Sequence, residues 1–192
     1  MEDTMNKEAQ DILSRLIAID TEYHCDTIGK IDKVYCLCAT DASGRTFKKW
    51  TVNYNGDILN ELRAFYGVDN PIYVEHAFDK AERRALKFLG TDNSKYQFIC
   101  TYHLAKMLQN SFCKSSARVK LKKMVFETEA EKIEEANKVK KAKVDSLSYA
   151  GLCHKYGLAL IDTQHKEAMR KLCIDDSTEG YEQQIMDYCA SD

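Results

Sequence analysis

The sequence predicts an α/β protein: a mixed β-sheet flanked by helices. Three observations predict it. Strand-like and helix-like stretches follow one another in the order β-β-β-α-β-α-β and then helices. A turn of hairpin chemistry, Asp41-Ala42-Ser43-Gly44, joins two of the first strands. Gly67, Asn70-Pro71 and Gly90 then punctuate the chain where one element should give way to the next.

Each element has its own signal. Residues 16–21 (LIAIDT), 33–41 (KVYCLCATD) and 45–54 (RTFKKWTVNY) read as strands. Asp57 is placed as an N-cap ahead of Ile58, Leu59, Leu62, Phe65 and Tyr66, which recur at helical spacing until Gly67. Residues 71–74 (PIYV) form a short strand, 78–89 a helix stopped by Gly90, and 96–101 (YQFICT) another strand. A helix starts at about 103–108. Further helices are expected at 146–156 and 163–172, and a last one from Thr178 or Gly180 onward.

Residues 114–143 differ, with ten Lys or Arg and five Glu and few apolar side chains. Glu134 and Lys138 form one i,i+4 pair, so a solvated helical arm is expected. Contact with a nucleic-acid backbone is the sharper alternative.

Composition sets bounds on function. The chain has 192 residues, 44% hydrophobic and 30% charged, enough for one domain with a real core. No apolar run approaches the roughly 20 residues that span a bilayer. The start, MEDTMNKEAQD, is polar and acidic, unlike a secretory signal, so an intracellular protein is expected. A net charge of −2 gives no basic footprint for duplex binding, yet a nuclease with acidic metal ligands is compatible with it. Eight cysteines are scattered without a Cys-x-x-Cys pair. Cys36 and Cys38 share one strand face, and Cys100 with His103 has a zinc-like gap, but the paired spacings of a zinc site are missing. The cysteines therefore read as reduced, buried small hydrophobes.

The chemistry lies in acids. Asp20 and Glu22 face one way at the end of the first strand, where two carboxylates repel unless a divalent cation joins them. Oxygen ligands of that kind suit Mg²⁺ or Mn²⁺. On the helix FDKAERRALKFL, Glu82 falls in the apolar stripe of Phe78, Ala81, Ala85, Leu86 and Leu89, where an acid needs a partner or a metal. Asp79 is less inward and suits a helix cap. On the last helix Tyr188 and Asp192 share a face at i,i+4, bordering that of Ile185 and Cys189.

Asp-x-Glu on a first strand, an acid on a helix after a later strand, and Tyr-x-x-x-Asp on a last helix together resemble the tyrosine-type DEDD exonucleases. These are the 3'-5' proofreading domains of family A (polymerase I-like) DNA polymerases, above all their phage members. IYVEHAFDKAERRALKFLG, CTYHLAKML and SLSYAGLCHKYGLALIDTQHKEAMRKLC continue the likeness. It covers about residues 14–192 apart from the charged segment, about 114–145, which looks like an insertion in a single domain spanning 1–192. Asp20 and Glu22 match the first motif, and Tyr188 and Asp192 the third. The second departs from the pattern: Ala77 stands where the family has Asn, and Ala81 precedes Glu82 where an aromatic is usual. Glu82 is the preferred acid there, with Asp79 the alternative if Phe78-Asp79 is the aromatic-acid pair.

The resemblance implies an RNase H-like fold and two-metal hydrolysis of phosphodiester bonds at the 3' ends of single-stranded DNA. Two Mg²⁺ or Mn²⁺ ions about 3.5–4 Å apart would be held by Asp20, Glu22, Glu82 and Asp192. Tyr188 would orient the attacking water, since a phenol is a poor base at neutral pH. Thr21, Tyr23, His76, Phe78 and Tyr102 are the residues near the motifs for contact with the nucleic acid, with core packing the plainer role for Phe78. The implied setting is DNA replication in the cytoplasm of a bacterial or phage-infected cell, beside a polymerase domain in the same or a separate chain. Two other readings stay open: a catalytically impaired module that binds DNA or a polymerase, and an RNA-directed exonuclease of the same fold.

Overall fold

The structure, a computed structural model, describes residues 2–76, 81–112, 128–145, 148–158 and 162–191. The chain falls into two compact units, Met1–Cys100 with Ile161–Asp192, and Thr101–Leu160.

The first unit is α/β, as expected, and its five-stranded sheet is mixed. In chain order it contains α1 (Glu2–Ser14), β1 (Leu16–Cys25), β2 (Ile31–Asp41), β3 (Thr46–Trp50), α2 (Ile58–Tyr66), β4 (Ile72–Glu75), α3 (Glu82–Phe88) and β5 (Gln97–Cys100). The strands lie in the order β3-β2-β1-β4-β5. β1 to β3 run as an antiparallel meander, while β4 pairs in parallel with both β1 and β5. The second unit carries α4 (Thr101–Phe112), α5 (Glu129–Asp145) and α6 (Tyr149–Tyr156). α7 (Thr163–Ile174) and α8 (Glu182–Ser191) return to the first.

Local chemistry explains the boundaries. Asp57 caps α2 by accepting from the Asn60 N–H at 3.2 Å, and Gly67 closes it in the left-handed region at φ 67°. Asp41 accepts from the backbone N–H groups of Ser43 and Arg45, both at 3.0 Å, and so shapes the β2–β3 turn.

Three boundaries differ from expectation. β1 does not end at Thr21 but continues to Cys25, because β2 starts at Ile31 and hydrogen-bonds along the whole extension. The Asp26 carboxylate closes that hairpin by accepting from the N–H groups of Ile28 and Lys30, at 3.1 and 2.8 Å. β3 stops at Trp50, where Thr51 turns inward, its N–H donating to the Tyr35 carbonyl and its hydroxyl to that of Val34. α1 is an element not expected from the sequence: in EDTMNKEAQDILS, Met5, Ala9, Ile12 and Leu13 recur at i, i+4, i+7 and i+8, yet Ile12 and Leu13 are both exposed.

The sheet packs on both faces. On one side Ile17, Ile19, Leu37, Ala39 and Tyr73 meet Ile58, Leu59, Leu62 and Tyr66 of α2, with Leu86 of α3. Buried phenols are satisfied there, Tyr66 donating to the Ala39 carbonyl at 2.7 Å and Tyr73 to that of Leu59 at 2.9 Å. On the other side Tyr35, Cys36 and Cys38 meet Met169 and Cys173 of α7 and Ile185, Tyr188 and Cys189 of α8. Asp176, held at φ 51°, accepts from the Tyr35 hydroxyl at 2.6 Å and from Lys33 Nζ at 2.7 Å, fixing the end of α7 to β2.

In the second unit α5 is polar, with Lys138 paired to Glu134 at 2.8 Å as the i,i+4 spacing predicts. α6 is capped by Ser148, whose hydroxyl accepts from the Gly151 N–H, and ends at Gly157. Among the described residues no helix is long and apolar enough to cross a membrane.

Candidate functional site

β1 carries the first two acids. Asp20 and Glu22 alternate with Ile17, Ile19 and Thr21, so they face the α7–α8 side while those three face α2. Both are half-buried. They lie inside the strand and not at its end, as the sequence had suggested. Their partners across the hairpin are Cys38 opposite Asp20 and Cys36 opposite Glu22. A bulge then interrupts the register between Glu22 and Tyr23, where bulges commonly re-aim side chains. From α8 the Cys189 thiol completes a triad with Asp20 and Glu22, with one ligand atom of each within 4.8 Å of the others.

α3 brings the next acid. Glu82 is only 5% exposed and shares its buried stripe with Ala85 and Leu86, as its spacing predicts. Burial pushes its pKa from the usual 4.5 up to about 8, and the neighbouring carboxylates Asp20 and Glu75 add to the rise. Its Oε2 has no hydrogen-bond partner among the described residues. Asp20 thus stands electrostatically between two elements, acting on Glu82 of α3 and on Cys189 of α8.

The remaining predicted residues divide. Tyr188 lies inside the core and not at its border: it is 3% exposed and packs with Tyr35, Cys36 and Ile185. The His165 ring meets it edge-on at 6.2 Å, and Lys166 Nζ lies 6.0 Å from its ring centre. Thr21 is buried, and its hydroxyl has no partner among the described residues. Tyr23 is half-buried against the cluster of Ile31, Val34 and Ala85, so its ring packs in the core, and burial raises its pKa. His76 is half-buried just after β4. Tyr102 belongs to the second unit. Ala77, Phe78, Asp79 and Asp192 lie outside the described residues.

Two residues that sequence reasoning passed over join this set. Glu75, at the end of β4, is 3% exposed and contributes to the raised pKa of Glu82. Its signal was strand parity: it stands two residues after Tyr73, a core side chain. Cys189 stands four residues after the buried Ile185 on α8, so helical spacing placed it inward.

The zinc-like set of Cys36, Cys38, Cys100 and His103 spans both units, and the third thiol beside Cys36 and Cys38 is Cys189. All described cysteines are free thiols, and Cys36, Cys38, Cys153, Cys173 and Cys189 are buried.

Among the described residues, the group that could hold an ion and includes acids is Asp20, Glu22 and Cys189; Glu75 and Glu82 are not part of it. The Cys189 thiol is the discordant member, since sulfur is a poor ligand for Mg²⁺ or Mn²⁺. The chain matches no protein-family model and no curated protein.

Proposed function

We propose that this protein is a metal-dependent 3'-5' exonuclease of the tyrosine-type DEDD class on an RNase H-like scaffold. It hydrolyses the phosphodiester bond at the 3' end of single-stranded DNA, as the proofreading module of a family A polymerase does. One observation carries the reading: Asp20 of β1 and Glu75 of β4 both act on the buried carboxylate of Glu82 on α3.

Asp20, Glu22, Glu82 and Asp192 are the residues that would hold two divalent ions, Mg²⁺ or Mn²⁺. Such ions, when bound, supply Lewis acidity at the scissile phosphate and a more acidic attacking water. The chain's own side chains do the rest. Asp20 is grouped with Glu22 and acts electrostatically on Glu82, so it would be the ligand common to both ions. Tyr188 would orient the water by hydrogen bonding, a phenol being a poor base. Half-buried Asp20 and Glu22 give the site its access to solvent.

The test is the variant Asp20→Ala, assayed with Mn²⁺ on single-stranded DNA labelled at its 5' end. Loss of stepwise 3'-5' shortening with an unchanged circular-dichroism spectrum is the expected result. Undiminished shortening in the variant sinks the assignment. Competition with RNA in the same assay separates the DNA reading from the RNA one.

The burial of Tyr188 favours a second reading, a catalytically impaired module that binds DNA or a polymerase. Metal-dependent stabilisation without any hydrolysis by the unmodified protein supports that reading.

A further inference from the structure

Next to the acidic pair lies a donor set of different chemistry. Cys36 and Cys38 are two residues apart on β2 and face the α7–α8 side together. α8 lays Cys189 against them. The three sulfurs lie within 4.8 Å of one another, and each residue is 2% exposed or less. Cys189 belongs to both groups, with thiols on one side and Asp20 and Glu22 on the other.

Buried thiols alone need no ligand, since a free cysteine packs as a small hydrophobe. Convergence with carboxylates is what sets this trio apart. Four-coordinate Zn²⁺ takes Cys sulfur and Asp or Glu oxygen, and Zn–S bonds of about 2.3 Å set tetrahedral sulfurs about 3.8 Å apart, inside the observed limit. Mg²⁺ and Mn²⁺ have no affinity for such a sulfur set. Asp20 and Glu22, grouped with Cys189, are half-buried.

We propose that Cys36, Cys38 and Cys189 form a site for a thiophilic divalent cation, Zn²⁺ by preference, with Asp20 or Glu22, which are grouped with Cys189 but not with all three sulfurs, shifting to supply the fourth ligand. Binding replaces three S–H bonds by three metal–sulfur bonds and releases three protons to solvent. One of these is the Cys38 proton, which is donated to the Met186 carbonyl at 3.2 Å. Lys48, ion-paired with Asp187, brings a positive charge near Cys38 that favours the thiolate there. The site's sulfurs are donors that the nuclease reading leaves idle, whereas the fourth ligand is an acid that reading also uses, so the two cations would compete for it.

The test is titration of the reduced full-length protein with Co²⁺ and Cd²⁺, followed by displacement with Zn²⁺. A thiolate-to-metal charge-transfer band that saturates at one equivalent, and loss of the Co²⁺ band on adding Zn²⁺, are expected. Cys189→Ala and Cys38→Ala should each weaken binding by roughly 100-fold or more, and Cys25→Ala should leave it unchanged. Near-ultraviolet circular dichroism identifies any variant that has lost its fold, and the other variant then decides. A missing band in the unmodified protein overturns the proposal, and so does a band that survives in a folded Cys38→Ala or Cys189→Ala variant. Co²⁺ spectra unaltered by both Asp20→Asn and Glu22→Gln overturn the fourth ligand.

Discussion

Glu82 shows how one side chain sets a pH dependence. In the folded chain it keeps its proton up to about pH 8, whereas unfolded it loses it near 4.5. Between those values the unfolded chain binds fewer protons, so stability falls as pH rises through that window and is level above it. In chelator-treated protein, urea unfolding across the window should show this decline, and Glu82→Gln should flatten it. A second expectation concerns catalysis: Glu82→Ala lowers exonuclease activity more than Asp79→Ala does. The reverse order in a single-strand degradation assay transfers the role to Asp79. Both Glu82 and the pair Asp20 and Glu22 were legible in the sequence, because helical and strand periods alone place them. Glu75 was not singled out, since one acid at the end of a four-residue strand looks like any strand terminus.

At the scale of elements, α8 seals a sheet face with Ile185, Tyr188 and Cys189, and under the proposed function it would also supply the Tyr188 hydroxyl to the site. These duties separate by substitution. Tyr188→Phe keeps the ring and should lower Mn²⁺-dependent activity by roughly tenfold or more while leaving the unfolding midpoint nearly unchanged. Tyr188→Ala leaves a cavity and should cost about 3–5 kcal/mol in chemical unfolding. Equal loss of stability in both would mean that the hydroxyl serves packing and not catalysis. The end of β1 was misjudged because Tyr23-His24-Cys25 alternates no more clearly than a loop. Only its pairing with β2, the next strand of the hairpin, extends the strand. α1, by contrast, has helical spacing in Met5, Ala9, Ile12 and Leu13, but its polar remainder reads as an exposed tail.

For the molecule as a whole, metal binding and folding are linked. A cation that binds the folded chain and not the unfolded one adds about 2.7 kcal/mol when present at 100 times its dissociation constant. Mn²⁺ should therefore raise the unfolding temperature, and Asp20→Asn should abolish most of the rise. A scan without any shift in the unmodified protein counts against the carboxylate site. The mixed sheet was legible from the order of its elements, whereas the division into two units was not. Periodicity locates helices but does not say which of them share contacts.

The contact between α8 and the hairpin carries a further consequence. Cys38 and Met186, hydrogen-bonded to each other, stand 148 residues apart in the chain. Loop closure over such a distance is entropically unfavourable and is made late, after local hairpins have formed. The β1–β2 hairpin should thus exist in early folding species with its acids and thiols still open to water. Any ligand specific for the finished site would act on the slow step alone, and refolding followed by its binding would report the docking of a single helix.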